Sequence, residues 1–296
     1  MDLRRFAWAV LVFNVGVIAL GALVRATGSG AGCGRSWPTC QGEVLPPLEG
    51  ATAIEFAHRA TSGVALALVF ALAVLVWRRY QPGAPARTGA VLSVVAIIGE
   101  AAIGAMIVLA EWVAEDASLA RAIAVPLHLV NTLFLLAALA LTAFWLGGGG
   151  RLDFRQDRTI RNVVIAGGTA LVLIAASGAV TALADTLFPK DGIGLDLEQG
   201  SHFLTRLRVI HPVLAIGAAA AAWWAVRRRS ANASRAAKTL PWLVVLMLVS
   251  GALNVALGVP VWMQLVHLIL ADALWIAFVL AAAQALESRQ AAAIRS

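Results

Sequence analysis

The sequence predicts an all-α integral membrane protein with eight transmembrane helices, arranged as two tandem, pseudo-symmetric four-helix bundles. Three observations carry this. The 296 residues are 60% hydrophobic and only 13% charged, where a soluble domain carries about 25% charged residues. Eight apolar runs approach the roughly 20 residues that cross about 30 Å of hydrocarbon. The second four runs repeat the residue pattern of the first four.

The expected spans are 6–24, 58–77, 90–110, 124–146, 162–184, 208–226, 240–258 and 262–284. The first follows Arg4 and Arg5, as a secretory signal would. No small-residue cleavage site follows it and seven more spans do, so it reads as a first transmembrane helix. The loops alternate in charge. Arg4 and Arg5, then Arg78, Arg79 and Arg87, then Arg151, Arg155, Arg158 and Arg161, then Arg227, Arg228, Arg229, Arg235 and Lys238, then Arg289 and Arg295 share one side. They make 16 of the 23 basic residues. The opposite loops hold Glu43, Glu49, Glu111, Glu115, Asp116, Asp185, Asp191, Asp196 and Glu198. Basic loops stay inside, which predicts a multi-pass protein of the cell membrane with both termini cytoplasmic. The net charge of +7 is spread over these short loops. It therefore argues for membrane orientation and against a nucleic-acid partner.

The repeat is visible in several places. Gly21-Ala22-Leu23-Val24 resembles Gly178-Ala179-Val180-Thr181, the run after His58 ends Trp77-Arg78-Arg79, and the run after His211 ends Trp223-Trp224-Ala225-Val226-Arg227. Leu127-His128-Leu129 matches Val266-His267-Leu268. Four spans per copy make both copies enter the membrane in the same sense, so the repeat axis lies along the membrane normal. This divides the chain into a half at 1–146, a linker at 147–161 that is flexible by its Gly147–Gly150 composition, and a half at 162–296.

His58, His128, His211 and His267 each lie near the start of an even-numbered span, hence near the outer face. A lone membrane histidine can simply bond a neighbouring helix. Four in repeat-related positions instead suggest two bis-histidine sites, His58 with His128 and His211 with His267, each facing across a bundle. Two imidazoles without cysteine or carboxylate in ligand spacing suit haem iron better than zinc. His202 has no repeat partner and reads as a surface residue.

The copies differ. Glu55 is three residues before His58 and shares its helix face, whereas the equivalent position before His211 is Arg208, with Arg206 beside it. Glu55 reads either as an interfacial acid favoured at a helix start or as a proton-handling or charge-stabilising group, and its lack of a copy favours the second. Cys33 and Cys40 share one outer loop, where a disulfide persists, either as a staple worth roughly 2–3 kcal/mol or as a redox-active pair. Asn14 and Asn254 are expected to make interhelical hydrogen bonds. Glu100 and Asp272 are buried acids with no evident role.

Thr27-Gly28-Ser29-Gly30, the loop Cys33-Gly34-Arg35-Ser36-Trp37-Pro38-Thr39-Cys40, Glu55-Phe56-Ala57-His58-Arg59 and the three later histidines together resemble the haem A synthase family of the bacterial type, over nearly the whole chain. The resemblance implies oxidation of a ring methyl of haem O to the formyl of haem A, for use in terminal oxidases. It implies a resident haem b on His211 and His267 and a substrate haem at His58 and His128, with Glu55 in catalysis. His58 and His128 are thus both iron ligands and members of the catalytic set. Arg25, Arg59, Arg206 and Arg208 are available for propionates. The family pattern also has His-Arg in the second half, where this chain has His211-Pro212. Implied partners are a haem O synthase, an unidentified electron donor or acceptor and membrane lipid, with oligomeric state left open. Two rivals stand beside this reading: a di-haem b-type cytochrome that relays electrons without altering haem, and a transporter on the same repeat. The outer position of the histidines and the few internal prolines argue against the transporter.

Overall fold

A computed structural model describes residues 2–155, 157–188, 201–227 and 235–288, with the side chains of 220–227, 235 and 236 excepted. Asp191, Asp196, Glu198, Arg228, Arg229, Arg289 and Arg295, and the side chains of Trp223, Trp224, Arg227 and Arg235, lie outside the described residues.

The described chain is helical and carries no sheet, only two isolated bridges. The helices are α1 (Leu3–Ala26), α2 (Gly50–Arg79), α3 (Pro85–Leu109), α4 (Leu119–Leu146), α5 (Arg158–Leu187), α6 (Phe203–Leu207), α7 (Ile210–Arg227), α8 (Arg235–Ala256) and α9 (Val261–Ala285). Seven of them, α1–α5, α8 and α9, are long and apolar enough to cross a membrane. The expected span at 208–226 coincides with the 18-residue α7.

Their ends follow local chemistry. Asp2, Ser118 and Asp157 cap α1, α4 and α5 by accepting backbone N–H bonds from the first turn, which satisfies donors that a helix start leaves open. Pro85 opens α3, where the missing N–H costs nothing. Pro212 is the third residue of α7, again within the first turn, so the departure from His-Arg at this position does not break the helix.

Several helices are longer than their apolar runs, and one extension matters. α2 begins at Gly50, eight residues before the expected start at 58. Glu55 is therefore the sixth residue of the helix and is 3% exposed, which removes the reading of it as an interfacial helix-start acid.

In the first half α1 packs on α2 and α4, and α3 on α2 and α4, so α2 and α4 stand diagonally. In the second half α5 packs on α7 and α9, and α8 on α7 and α9, placing α7 and α9 diagonally. The halves meet where α1 and α4 touch α5 and α9. Ala7, Val10 and Leu11 of α1, Leu136 and Leu139 of α4, and Trp275 and Val279 of α9 share one buried cluster there. The Trp275 indole N–H also donates to the Leu133 carbonyl at 2.7 Å.

The glycine linker is held, contrary to the flexibility its composition suggests. Gly150 N–H donates to Glu287 Oε1 at 2.6 Å, Asp153 N–H to the Leu286 carbonyl, and Ser288 N–H to the Arg151 carbonyl. The segment after α9 supplies the partners that the exposed linker backbone needs, and the sequence between them gives no sign of it.

Asn14 is also a correction. Its amide donates to the Val10 carbonyl of its own helix at 2.8 Å, not to another helix, because the carbonyl four residues back is the nearest acceptor for a short polar side chain. Asn254 Oδ1 is buried without a hydrogen-bond partner, so the second expected interhelical bond is missing as well. His202 is more than a surface residue. Its Nδ1 caps α6 by accepting from Leu204 N–H, and its ring stacks on Phe188 and packs against Phe203.

Candidate functional site

Each of the four histidines lies against a glycine on the preceding long helix of its own bundle, and each glycine is followed by alanine. A Cβ added at Gly21 would stand 2.9 Å from His58 Cε1, at Gly178 3.0 Å from His211 Cε1, at Gly251 3.3 Å from His267 Cε1 and at Gly104 3.9 Å from His128 Cε1. Gly21-Ala22, Gly104-Ala105, Gly178-Ala179 and Gly251-Ala252 are thus four copies of one seat. A side chain in place of the hydrogen would push the ring away at three of them. The Gly-Ala repetition is present in the sequence, but only the likeness of the first and third copies is evident without knowing which helices touch.

In the second half, both imidazoles are fixed through Nδ1. His211 Nδ1 lies 3.1 Å from the Ile174 carbonyl and 3.1 Å from Ser177 Oγ. The Ser177 hydroxyl already donates to the Ile174 carbonyl at 2.7 Å, so both neighbours can only accept and Nδ1 carries the hydrogen. His267 Nδ1 lies 2.8 Å from Ser250 Oγ, whose hydroxyl donates to the Met247 carbonyl at 3.0 Å, and the same logic applies. Nε2 of each ring keeps its lone pair, the state that ligates a metal. The two ring centroids are 6.3 Å apart with planes at 86°. Two imidazoles on opposite sides of one metal, with metal–nitrogen bonds of about 2 Å, put their centroids roughly 6 Å apart. The spacing of the second pair therefore leaves room for one metal between the two rings.

In the first half the seats are kept and the anchors differ. The residues before the glycines, serines in the second half, are here Leu20 and Ile103. His58 Nδ1 is buried and faces the Val17 backbone, the counterpart of Ile174, without closing a hydrogen bond of good geometry. His128 Nδ1 has as its neighbour the Glu100 carboxylate, with Oε2 at 3.5 Å.

Glu55 joins the first half to the cysteine loop. Cys33 N–H donates to Glu55 Oε2 at 2.8 Å. Arg59, one turn further along α2, donates to Glu55 Oε1 from Nη2 at 2.5 Å and from Nε at 3.1 Å. Arg59 Nη1 also donates to the carbonyls of Ser36 and Thr39. Cys33 and Cys40 form a disulfide with Cα atoms 4.4 Å apart. Gly32 rests on the first turn of α2, where a Cβ would stand 2.5 Å from Ala51 backbone atoms. One guanidinium thus holds both the carboxylate and the disulfide loop.

The remaining arginines have protein partners. Arg208 is 4% exposed, pairs with Asp185 at 3.0 Å and donates to the Ala184 and Phe188 carbonyls. Arg206 points outward and donates to Ser201 Oγ. Arg25 reaches from α1 to the Ala182 carbonyl, Thr186 Oγ1 and Gln264 Oε1 in the second half. Arg121 is 4% exposed and donates to the carbonyls of Ala114 and Asp116 in the loop between α3 and α4. It carries no motif by which the sequence could have singled it out. Asp272 is 1% exposed, and its Oδ2 makes no hydrogen bond.

The chain matches the model of the COX15-CtaA family, described as cytochrome oxidase assembly protein, over residues 4–53 and 50–279. It is 47% identical over 295 residues to a protein named protoheme IX farnesyltransferase from Thermus thermophilus, a match covering 96% of this chain and 48% of that relative. It is 42% identical over 106 residues to proteins named heme A synthase from Bacillus mycoides and Bacillus cereus, covering 34% of each chain. The chain therefore spans about half the length of the Thermus relative it matches. With the family model matched along nearly its whole length, the chain belongs to the cytochrome oxidase assembly protein family.

Proposed function

We propose that this chain is a haem A synthase, an oxidoreductase that converts the ring methyl of haem O to the formyl of haem A. The observation that carries the reading is the unequal furnishing of two equivalent histidine seats. The second pair is oriented through Nδ1 by Ser177, Ser250 and the Ile174 carbonyl, as befits a resident haem b. In the first pair no serine precedes either glycine, and the His58 face of α2 carries a buried carboxylate.

When bound, haem supplies the redox chemistry, and the protein supplies position, electrostatics and exclusion of water. His211 and His267 hold the resident group and His58 and His128 the substrate. Glu55, kept in one orientation by Arg59 and Cys33 N–H, would supply a carboxylate able to accept a proton or stabilise developing positive charge on a substrate held by the first pair. Arg206 and Arg208 stand at the outer end of the second pair, where the acid groups of a haem would lie. Arg208 would have to share its guanidinium with Asp185.

On this reading the protein has eight spans, α7 being the sixth, in two four-helix halves at 1–146 and 162–296 related by an axis along the membrane normal. The cyclic packing order within each half and the matching histidine seats support it. Both termini are cytoplasmic and the disulfide loop is outside, on the strength of the loop charges. A Thermus relative about twice as long is named for farnesyl transfer to protohaem IX. That supports a substrate already carrying the farnesyl-derived chain, supplied by a haem O synthase; the electron partner stays unnamed.

The test is the pigment. Purified from cells supplied with haem O, the protein should yield haem b and haem A on extraction and mass analysis. Two chemically unaltered haems would replace this reading with that of an electron-relaying cytochrome. Reporter fusions at Arg87 and Glu49 should give cytoplasmic signal only at Arg87, and equal signal from both would overturn the topology.

A further inference from the structure

Glu100 lies on α3, one turn before the Gly104 seat of His128. Its carboxylate is held from α4. Asn131 Nδ2 donates to Oε1 at 2.5 Å, and Thr132 Oγ1, whose single hydrogen is also within reach of the His128 carbonyl at 3.0 Å, lies 3.1 Å from Oε2. These donors follow His128 by three and four residues, so the anchored carboxylate and the imidazole share one helix face. Gly99 makes the approach feasible, since a Cβ there would stand 2.7 Å from Asn131 Oδ1. His128 Nδ1 is buried and has no hydrogen-bond partner, and Glu100 Oε2 is 3.5 Å from it, longer than a formed bond.

We propose that Glu100 is the positioning residue for His128, the acceptor that orients its imidazole through Nδ1 and makes Nε2 a stronger donor than that of its counterpart His267. The proposal rests on the reading of the first half as a haem-holding pair. A carboxylate behind a ligating imidazole fixes its tautomer and raises its basicity more than a hydroxyl does. Stronger donation favours the oxidised iron, one of the levers by which a protein sets haem potential.

The alternative is that Glu100 only ties α3 to α4. The second half argues against it. In the repeat register set by the glycine seats and the histidines, Glu100, Asn131 and Thr132 correspond to Met247, Leu270 and Ala271. α8 and α9 pack closely with no acid between them at these positions, and His267 takes its acceptor from Ser250 instead. The acid and its two holders occur together in the half where the serine is absent.

The experiment uses the full chain loaded with haem O, with the second-half haem as internal reference. Glu100→Gln keeps shape and both tethering groups. It should raise the reduction potential of the first-half haem and weaken its retention about 10-fold, leaving the second-half potential unchanged. The double variant E100M/I103S transplants the second-half arrangement and should move the first-half potential towards that of the second, even if the Gln variant folds poorly. Unchanged first-half potentials in both variants, with His128→Leu abolishing that haem's signal, would overturn the role of Glu100 alone. If His128→Leu leaves the signal intact, His128 is no ligand and the reading beneath this proposal falls with it.

Discussion

The two histidine pairs share a frame and differ in what stands behind it. Every imidazole rests on a Gly-Ala seat, closest at Gly21 and Gly178 and loosest at Gly104. In the second half the polar partners are neutral, Ser177, Ser250 and a carbonyl, and they close hydrogen bonds. In the first half those serines are Leu20 and Ile103, and acids stand nearby instead. The outer ends differ by a reversal of charge. Three residues before His58 stands Glu55, gripped by Arg59 and a loop amide. Three residues before His211 stands Arg208, gripped by Asp185. On the proposed function, one half would hold a group rigidly and the other would turn to chemistry by a change of partners one contact away from the histidines. The ligands themselves need not change.

The comparison breaks most completely at the ligands. His211→Leu or His267→Leu should abolish the low-spin bis-histidine absorption of the resident haem, because one imidazole cannot complete the site. An unchanged spectrum in both variants would mean that the halves have been assigned the wrong way round.

Glu55→Gln comes next. The neutral amide keeps the size of the side chain and leaves the second half untouched, so resident haem should be retained while formyl product falls about 100-fold or more. Product at the wild-type rate would reduce Glu55 to a holder of the disulfide loop.

The glycine seats give a graded series. Alanine at Gly21 or Gly178 places a methyl 2.9–3.0 Å from an imidazole carbon. Overpacking of this kind costs about 1–3 kcal/mol and should displace His58 or His211 respectively. Gly251→Ala at 3.3 Å should cost less, and Gly104→Ala at 3.9 Å should be tolerated. Haem content of the four variants, measured side by side, checks the order. Equal loss at Gly104 and Gly21 would show that the seats do not act through ring contact.

The smallest effect separates two serines. Ser250→Ala removes the hydroxyl on His267 Nδ1 and should weaken haem retention about 10-fold. Ser177→Ala should do less, since His211 keeps the Ile174 carbonyl at 3.1 Å. Haem dissociation rates would show it, and equal rates would mean that the carbonyl contributes nothing to holding His211.

Much of the site was legible from residue type and position. The four histidines stand at the heads of apolar runs, the cysteines lie seven apart in one loop, and Glu55 shares a face with His58 by helical spacing alone. Arg59 was legible only as a charge near the interface. Glu55 lies one turn away from it, but the hold of Arg59 on the Ser36 and Thr39 carbonyls reaches across 23 and 20 residues. Glu100 could be seen as a buried acid, yet its partners Asn131 and Thr132 are on another helix. The glycine linker looked loose because glycine composition reports conformational freedom and says nothing about Glu287, which pairs with it.

By itself the sequence determined the helical class, the placement of the four histidines on apolar helices and the two cysteines in one loop. These follow from hydropathy and helical period, properties of a chain segment taken alone. Only the tertiary structure decided which glycine lies beneath which imidazole, which nitrogen of each ring is anchored, and that a single guanidinium ties Glu55 to the disulfide loop. Those depend on how each helix is rotated about its axis and how far it slides along its neighbour. Side-chain packing across the whole bundle sets both quantities, because in an apolar interior the close fit of surfaces fixes orientation.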